Sequence, residues 1–188
     1  MEALSREQRR QLERAVVAAR KAAEEAARDA LARLAVEQRE APASLSPEQR
    51  ALRNALRAKA RQLGDGVLQA GLNALVEEIA FAQWHRMLFA RFLAERGLLR
   101  HPSGASVTLH DCAELAEEEG AADAWELAAR YAGAMVPGLF PDDDPVVTLR
   151  FAAEGRLALE RILEGVPAPD FQADDALGWV YQFWQAKR

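Results

Sequence analysis

The feature that most constrains this 188-residue chain is a long apolar stretch from Leu72 to Gly97, LNALVEEIAFAQWHRMLFARFLAERG. Its large apolar residues recur at steps of three and four, which is the spacing of one helix face. A second apolar set covers another side of the same helix: Val76, Phe81, Trp84, Leu88 and Phe92. A helix that is apolar on more than one side is buried on more than one side. The stretch therefore predicts a central helix around which other helices pack.

Two arginines, Arg86 and Arg91, lie inside this apolar run. An unpaired charge would be costly there. In one interpretation both arginines pair with carboxylates of neighbouring helices or extend along their apolar stems to water. In the other, one of them anchors a neighbouring domain or a phosphate. The sequence leaves both alternatives open.

The composition favours helices, because alanine, leucine, glutamate and arginine dominate and β-branched runs are scarce. We expect an all-α fold, a multi-helix bundle around the central helix with a long N-terminal helix. Residues 1–40 are expected to form this Ala-rich N-terminal helix, and residues 41–188 a helical domain, unless the two form one domain overall.

The N-terminal helix has a clear start and a narrow apolar seam. Ser5 and Gln8 fit a capping box, and the helical pattern continues to about Arg39. The seam consists of small or medium apolar residues: Leu12, Val16, Ala19, Ala23, Ala26, Ala30 and Leu34. Such a seam packs closely but buries little area. It either packs on its own domain or forms a coiled coil with a partner.

A second helix begins after Ser46, where Pro47 and Gln49 supply further start signals, and it runs to about Leu63. Four arginines occupy one side of it within a sector of roughly 80°. We call this set the arginine row: Arg50, Arg53, Arg57 and Arg61. The row is either a solvated face or a line of phosphate contacts along DNA.

The charge totals limit the classes of partner. The net charge is -5 and the isoelectric point is about 5.4, so the whole chain is not a general polyanion binder. Residues 1–63 hold 14 Lys and Arg against 9 Asp and Glu, while the remainder holds 10 against 20. A basic first third on an acidic body suggests two separate roles.

The single cysteine, Cys112, excludes an internal disulfide, and no secretory signal is visible. We therefore expect a reducing cytoplasm. No apolar run approaches the roughly 18 residues of a membrane span, so we expect no membrane partner. The three histidines and the cysteine show no metal-ligand spacing, so we expect no metal site.

Two segments carry a family resemblance. The first is EEIAFAQWHRMLFARFLAERGLL, Glu77 to Leu99, and the second is DDALGWVYQFWQAKR, Asp174 to Arg188. They resemble a signature helix and the stretch before the catalytic domain in the large adenine-specific DNA methyltransferases of bacterial phage-defence systems. The resemblance is strongest to the methylase of DISARM systems and weaker to the BREX methylase. The intervening VTLHDCAELAEEEGAADAWELAARYA fits the same pattern, so the resemblance covers about Leu72 to Arg188.

The resemblance implies the helical N-terminal region of an enzyme that transfers a methyl group from S-adenosylmethionine to the N6 of adenine and so marks host DNA as self. In that family a glycine-rich loop holds the cofactor, and an Asn-Pro-Pro-aromatic tetrapeptide holds the flipped-out adenine. Neither motif occurs in this chain. The resemblance therefore assigns no catalytic residue here, and S-adenosylmethionine is expected for the full-length parent only.

The residues that match the two signatures are expected to pack the domain or to form its joint with a C-terminal methyltransferase domain, before which this chain would be truncated. They are Trp84, Arg86, Phe89, Arg91 and Phe92 in the first segment, and Leu177, Gly178, Trp179, Tyr181 and Gln182 in the second. Gly178 is expected to permit a close helix approach. The implied partners are DNA, through the parent enzyme, the parent's methyltransferase domain and other defence-system subunits.

Three functions are open at this point. The first is a non-catalytic domain that positions DNA or partner subunits for the methyltransferase, with the arginine row on DNA. The second is a stand-alone helical protein-interaction module that makes no DNA contact. The third, an autonomous helical enzyme, lacks a visible nucleophile–base pair or carboxylate constellation.

Overall fold

The computed structural model describes residues 3–141 and 143–186, which form helices and connections without a strand. The helices are α1 (Arg6–Arg33), α2 (Pro47–Leu63), α3 (Leu68–Glu95), α4 (Leu109–Leu115), α5 (Ala124–Met135), α6 (Pro145–Thr148), α7 (Ala153–Glu164) and α8 (Ala176–Ala186). A 3-10 turn at Ala168–Phe171 precedes α8. The predicted all-α bundle is confirmed.

The predicted central helix is α3, which supplies buried residues to all three apolar clusters of the described chain. Its first turns pack with α2 and the second half of α1. Its middle, including Trp84, packs with the first half of α1, with α7 and with α8. Its last turns, including Leu93, pack with α4 and α5. The helix is buried on several sides because it carries apolar residues on several sides.

The seam predicted on α1 is buried within the domain, from Leu12 at 2% exposure to Ala30 at 1%. The predicted end at Arg39 is wrong, because α1 ends at Arg33. Ala35 adopts φ +51, and the Val36 amide donates to the Leu31 carbonyl at 3.0 Å. This six-to-one bond closes a Schellman turn. Glycine usually occupies the left-handed position of that turn, so an alanine there gave no stop signal in the sequence.

α2 and α3 cross at very short range. A Cβ built on Gly71 would lie 1.7 Å from the Ala60 carbonyl oxygen. No side chain larger than hydrogen fits between these two backbones. Gly64, where α2 ends, is equally crowded, since its Cβ would lie 2.4 Å from the Gly71 nitrogen. The position of α2 on the central helix therefore depends on these two glycines.

The helix starts predicted at Ser5 and Ser46 are confirmed, because each side chain accepts a hydrogen bond from the amide three residues on, in a complete capping box. Thr108 caps α4 in the same way. This helix ends at Leu115 and turns follow. Gly120 closes those turns with φ +66.

Candidate functional site

The arginine row lies on α2, but three of its guanidinium groups turn back toward the connection between α1 and α2. Arg53 is only 3% exposed and donates to the carbonyls of Ala35 at 3.1 Å and Gln38 at 2.6 Å. Arg57 and Arg50 also donate to backbone carbonyls of this connection. Their acceptors are Val36 and Gln38 for Arg57, and Ala43 and Leu45 for Arg50.

These contacts give the row a structural role that the helical spacing did not reveal. A guanidinium on a carbonyl makes a charge-assisted hydrogen bond, which is stronger than a neutral one. Burial lowers the pKa of Arg57, and the charges of Arg53 and Arg61 lower it further. Arg61 is exposed, so it is the member of the row that faces solvent most fully. A contact between the row and DNA stays a prediction.

The two segments that carry the family resemblance lie against each other, although they are far apart in the sequence. The ring centroid of Phe81 lies 5.8 Å from that of Trp184, and the Trp84 and Trp184 rings are stacked at 6.4 Å. At the other end, Arg96 pairs with Asp174 at 3.2 Å. The middle of α3 and the inner side of α8 therefore form one aromatic layer. Lys187 and Arg188, the last residues of the second segment, lie outside the described residues.

The charged residues inside the first segment have partners of two kinds. Arg91 pairs with Glu95 of its own helix at 2.6 Å, and its guanidinium lies over the Phe171 ring at 5.3 Å. Arg86 donates to the Val147 carbonyl at 3.0 Å. The carboxylate partner of Arg91 therefore lies on its own helix rather than on a neighbouring one, and Arg86 contacts the backbone at Val147.

Aromatic residues on two flanks of α8 are left partly uncovered by the described chain. Trp179 and Phe183 lie on one flank and Tyr181 lies on the opposite flank, because residues two positions apart point to nearly opposite sides of a helix. We define the α8 face as the side of the helix that carries Tyr181. Tyr181 is 46% exposed, while the Trp179 and Phe183 rings stack at 5.2 Å. A Cβ at Gly178 would meet no atom within 4 Å. The close helix approach expected at Gly178 is thus not made by the described helices, and Gly71 makes one instead.

A cleft of about 740 Å³ opens between α3, α5, α7 and the described parts of the connection from α5 to α7, residues 136–141 and 143–151. The residue pattern does not predict it. Four arginines from four parts of the chain line this cleft: Arg86, Arg130, Arg150 and Arg156. Apolar side chains form much of the remaining wall, among them Met87, Trp125, Phe140, Phe151 and Leu159. Of these residues only Arg86 stood out in the sequence, as a charge within an apolar run.

Carboxylates hold three of the cleft arginines in place. Arg150 pairs with Glu126 at 2.6 Å, and Arg130 pairs with Glu119 at 3.0 Å. Arg156 lies between two carboxylates, Asp123 at 2.9 Å and Glu160 at 3.3 Å. Burial raises the pKa of Glu160, and the charge of Asp123 raises it further. Glu126 itself lines the cleft, whereas Glu119, Asp123 and Glu160 do not.

A hydrogen-bonded nucleophile and base, which the sequence analysis did not find, occur beside α5. The Ser103 hydroxyl lies 2.7 Å from Nδ1 of His101, and Nε2 of His101 lies 3.0 Å from Glu119. The Tyr131 hydroxyl donates to the same Glu119 carboxylate. These residue types form catalytic triads elsewhere. Here Ser103 and His101 belong to one exposed turn, and the Ser103 amide also donates to Nδ1. We interpret the network as a clasp between that turn and α5.

The remaining candidate groups carry no chemistry in this structure. Cys112 is fully buried, and burial together with the nearby charges of Asp111 and Glu119 raises the pKa of its thiol to about 11. A thiol of this kind packs rather than reacts. Within residues 3–141 and 143–186, no cluster of His, Cys, Asp and Glu is placed to hold a metal ion. No helix in the same part of the chain has the length and apolar character for crossing a membrane.

Comparisons of this chain with protein-family models, with curated proteins and with solved structures find no match.

Proposed function

We propose that this chain is a non-catalytic N-terminal helical domain of an S-adenosylmethionine-dependent DNA adenine-N6 methyltransferase of a phage-defence system. Its role is to hold the catalytic domain, DNA or partner subunits in position. The observation that carries the proposal is the contact between the two resembling segments. Phe81 and Tyr181 are 100 positions apart in the chain, and their ring centroids lie 5.7 Å apart. Signatures that meet in space are expected of one structural unit.

The α8 face supports a joint with the catalytic domain. Its inner residues, Val180 and Trp184, are buried at 3% and 2% exposure, so α8 is firmly seated on the bundle. Tyr181 offers a partly exposed aromatic ring beside them. Large aromatic side chains dominate the energetics of protein interfaces. In this proposal the catalytic domain covers Tyr181.

The DNA-positioning part of the proposal rests on the exposed end of the arginine row. Arg61 is exposed, whereas the guanidinium of Arg53 is committed to the buried carbonyls. Phosphate contacts need side chains that can reach the backbone of DNA. We therefore propose Arg61, with the outer edges of Arg50 and Arg57, as the contact and assign Arg53 to the fold.

The joint is tested in the full-length enzyme by following methyl transfer from labelled S-adenosylmethionine to DNA. Tyr181→Glu places a charge on the α8 face. Leu157→Glu is the matched control, because Leu157 is 42% exposed on α7, away from that face. A charge in a desolvated joint should reduce transfer about tenfold or more. The control should retain nearly full transfer.

Full methyl transfer by Tyr181→Glu would contradict a joint between the α8 face and the catalytic domain. Circular dichroism on both variants checks that each keeps its helix content. Equal loss in both variants would show that charge on any exposed apolar residue is harmful, and that result would also count against a specific joint.

The alternative function is a protein-interaction module that never touches DNA. The seam on α1 cannot serve such a partner without opening the core, because Leu12, Val16 and Ala23 are buried against the rest of the bundle. Removal of α1 would therefore unfold the domain rather than test the idea. The remaining candidate surface on α1 is its outer side, where Val17 is 55% exposed. Val17→Glu should block subunit assembly if this alternative holds, and normal assembly would exclude that surface.

A further inference from the structure

The cleft between α3, α5 and α7 has the size and the lining of a small-molecule site. Its volume of about 740 Å³ lies within the range of about 300–1,000 Å³ that is typical of ligand pockets. The partly buried Phe151 and other apolar side chains line the same cleft as the four arginines. A pocket with apolar walls and a few convergent polar groups is the usual form of a binding site.

The cleft lining presents guanidinium donors whose charges are balanced by carboxylates. Four arginines line the cleft, and the carboxylate among the described lining residues is Glu126. The partners of Arg130 and Arg156 (Glu119, Asp123 and Glu160) are absent from the lining. The feature that a ligand would meet is therefore a set of N–H donors rather than an excess of positive charge.

Two of the four arginines are able to turn toward a ligand. The side chain of Arg150 is 77% exposed and pairs with the carboxylate of Glu126. Arg130 binds Glu119 through Nη2, on a side chain that is 47% exposed. Exposed ion pairs of this kind are weak. A guanidinium carries five N–H donors, so each arginine can keep its carboxylate and still donate to a second anion.

We propose that the cleft binds a nucleoside phosphate. The forked donors of Arg130 and Arg150 match the geometry of a phosphate group, and the partly buried Phe151 offers an aromatic ring for contact with a planar base. Inorganic phosphate alone would leave the apolar walls unused, and a nucleoside alone would leave the arginines unused. The ligand must therefore carry both parts.

Isothermal titration calorimetry on the intact chain tests this with three probes: AMP, inorganic phosphate and adenosine. AMP should bind saturably, and about tenfold or more tightly than either fragment. Absence of saturable AMP binding up to about 10 mM, which corresponds to a negligible affinity, would overturn the proposal. Equal affinities for AMP and inorganic phosphate would also overturn it, because the base would then contribute nothing.

Three variants locate the binding. Arg130→Gln and Arg150→Gln should each weaken AMP binding about fivefold or more, through loss of a charge-assisted contact. Arg161→Gln is the matched control, since Arg161 lies on α7 but outside the cleft lining, and it should bind like the wild type. Unchanged affinity in both cleft variants would place any AMP binding elsewhere and so contradict the proposal.

Glu126→Gln gives the sharpest test, because it is expected to strengthen AMP binding whereas the two arginine variants weaken it. Removal of this carboxylate frees Arg150 and removes a negative charge from the cleft, so AMP should bind several-fold more tightly. The glutamine retains an oxygen that can accept from the Ala122 amide, as Glu126 does now at 2.9 Å. A merely structural role of Glu126 would not strengthen binding, and weaker binding by this variant would count against the proposal.

Discussion

The arginines of α2 and the arginines of the cleft present opposite uses of the same side chain. On α2 the four arginines follow one helical stripe, yet Arg53 is buried and bonded to backbone carbonyls of its own domain. Around the cleft the four arginines come from separate elements and share no sequence spacing. There the side chain of Arg150 is 77% exposed and borders an open volume.

The difference shows that a regular stripe of charge identifies a helix face, but not the group that this face meets. The connection after α1 folds back over α2 and exposes its carbonyls at Ala35, Val36 and Gln38 to the stripe. Long arginine side chains reach such acceptors easily. In one region arginines bind the backbone tightly, and in the other they border an open cleft.

The largest effect on stability should come from replacement of a glycine at the crossing of α2 and α3. Gly71→Ala places a Cβ 1.7 Å from the Ala60 carbonyl oxygen, so α2 must move and the free energy of unfolding should fall by about 3 kcal/mol or more. Gly133→Ala is the matched control, because a Cβ on this α5 residue beside the cleft meets no atom within 4 Å. It should raise stability by about 0.5–1 kcal/mol through helix propensity. Urea unfolding measures both, and a harmless Gly71→Ala would refute the close crossing.

The next effect concerns the buried arginine of the row. Arg53→Ala leaves the carbonyls of Ala35 and Gln38 without this donor and should lower the free energy of unfolding by about 2–3 kcal/mol. Arg61→Ala, on the exposed end of the same stripe, should change it by less than about 0.5 kcal/mol. Thermal or urea unfolding of the two variants gives the comparison. Similar small losses in both would mean that the row is merely solvated.

A smaller effect is expected from the clasp behind Arg130. The Tyr131 hydroxyl donates to Glu119 and lowers the pKa of this carboxyl below 4.5, with His101 and Arg130 adding to the effect. A carboxyl with a lowered pKa contributes stability above its unfolded pKa, and this is lost as the pH falls through the folded pKa. As the pH is lowered from 7 into the acid range, the free energy of unfolding of Tyr131→Phe should therefore fall less than that of the wild type. Parallel acid-unfolding curves would contradict the clasp.

The smallest effect should be seen at the cleft itself. Arg150→Gln removes a mostly exposed ion pair with Glu126, so its unfolding free energy should stay within about 0.5 kcal/mol of the wild type. A large loss would show that Arg150 holds the fold as Arg53 does, and the contrast between the two regions would disappear. Thermal unfolding followed by circular dichroism is sufficient for this measurement.

The sequence predicts the elements whose signals are local. The capped starts of α1 and α2 and the apolar faces of α3 are read within one helix turn or one helix length, and they are found in the structure. The end of α1 was missed because Ala35 takes a backbone conformation that usually marks glycine. The role of Gly71 was missed because a glycine inside a helical pattern gives no sign of the neighbour it approaches.

The cleft could not be predicted, since its arginines are brought together only by tertiary packing. Arg130 and Arg156 look like ordinary surface charges in the sequence of their helices. The partial exposure of Tyr181 was equally invisible, because the pattern placed it on a face of α8 without showing what covers that face. The family resemblance, by contrast, was read from the residues alone, and it stays a prediction.

The native length of the protein tests the proposed function most directly. Reading the open reading frame past Arg188, with the intact mass of the purified native protein as confirmation, gives the answer without any assay of activity. The account predicts a longer chain that continues into a strand, a glycine-rich cofactor loop and an Asn-Pro-Pro-aromatic motif. A native protein that ends at Arg188 would contradict it.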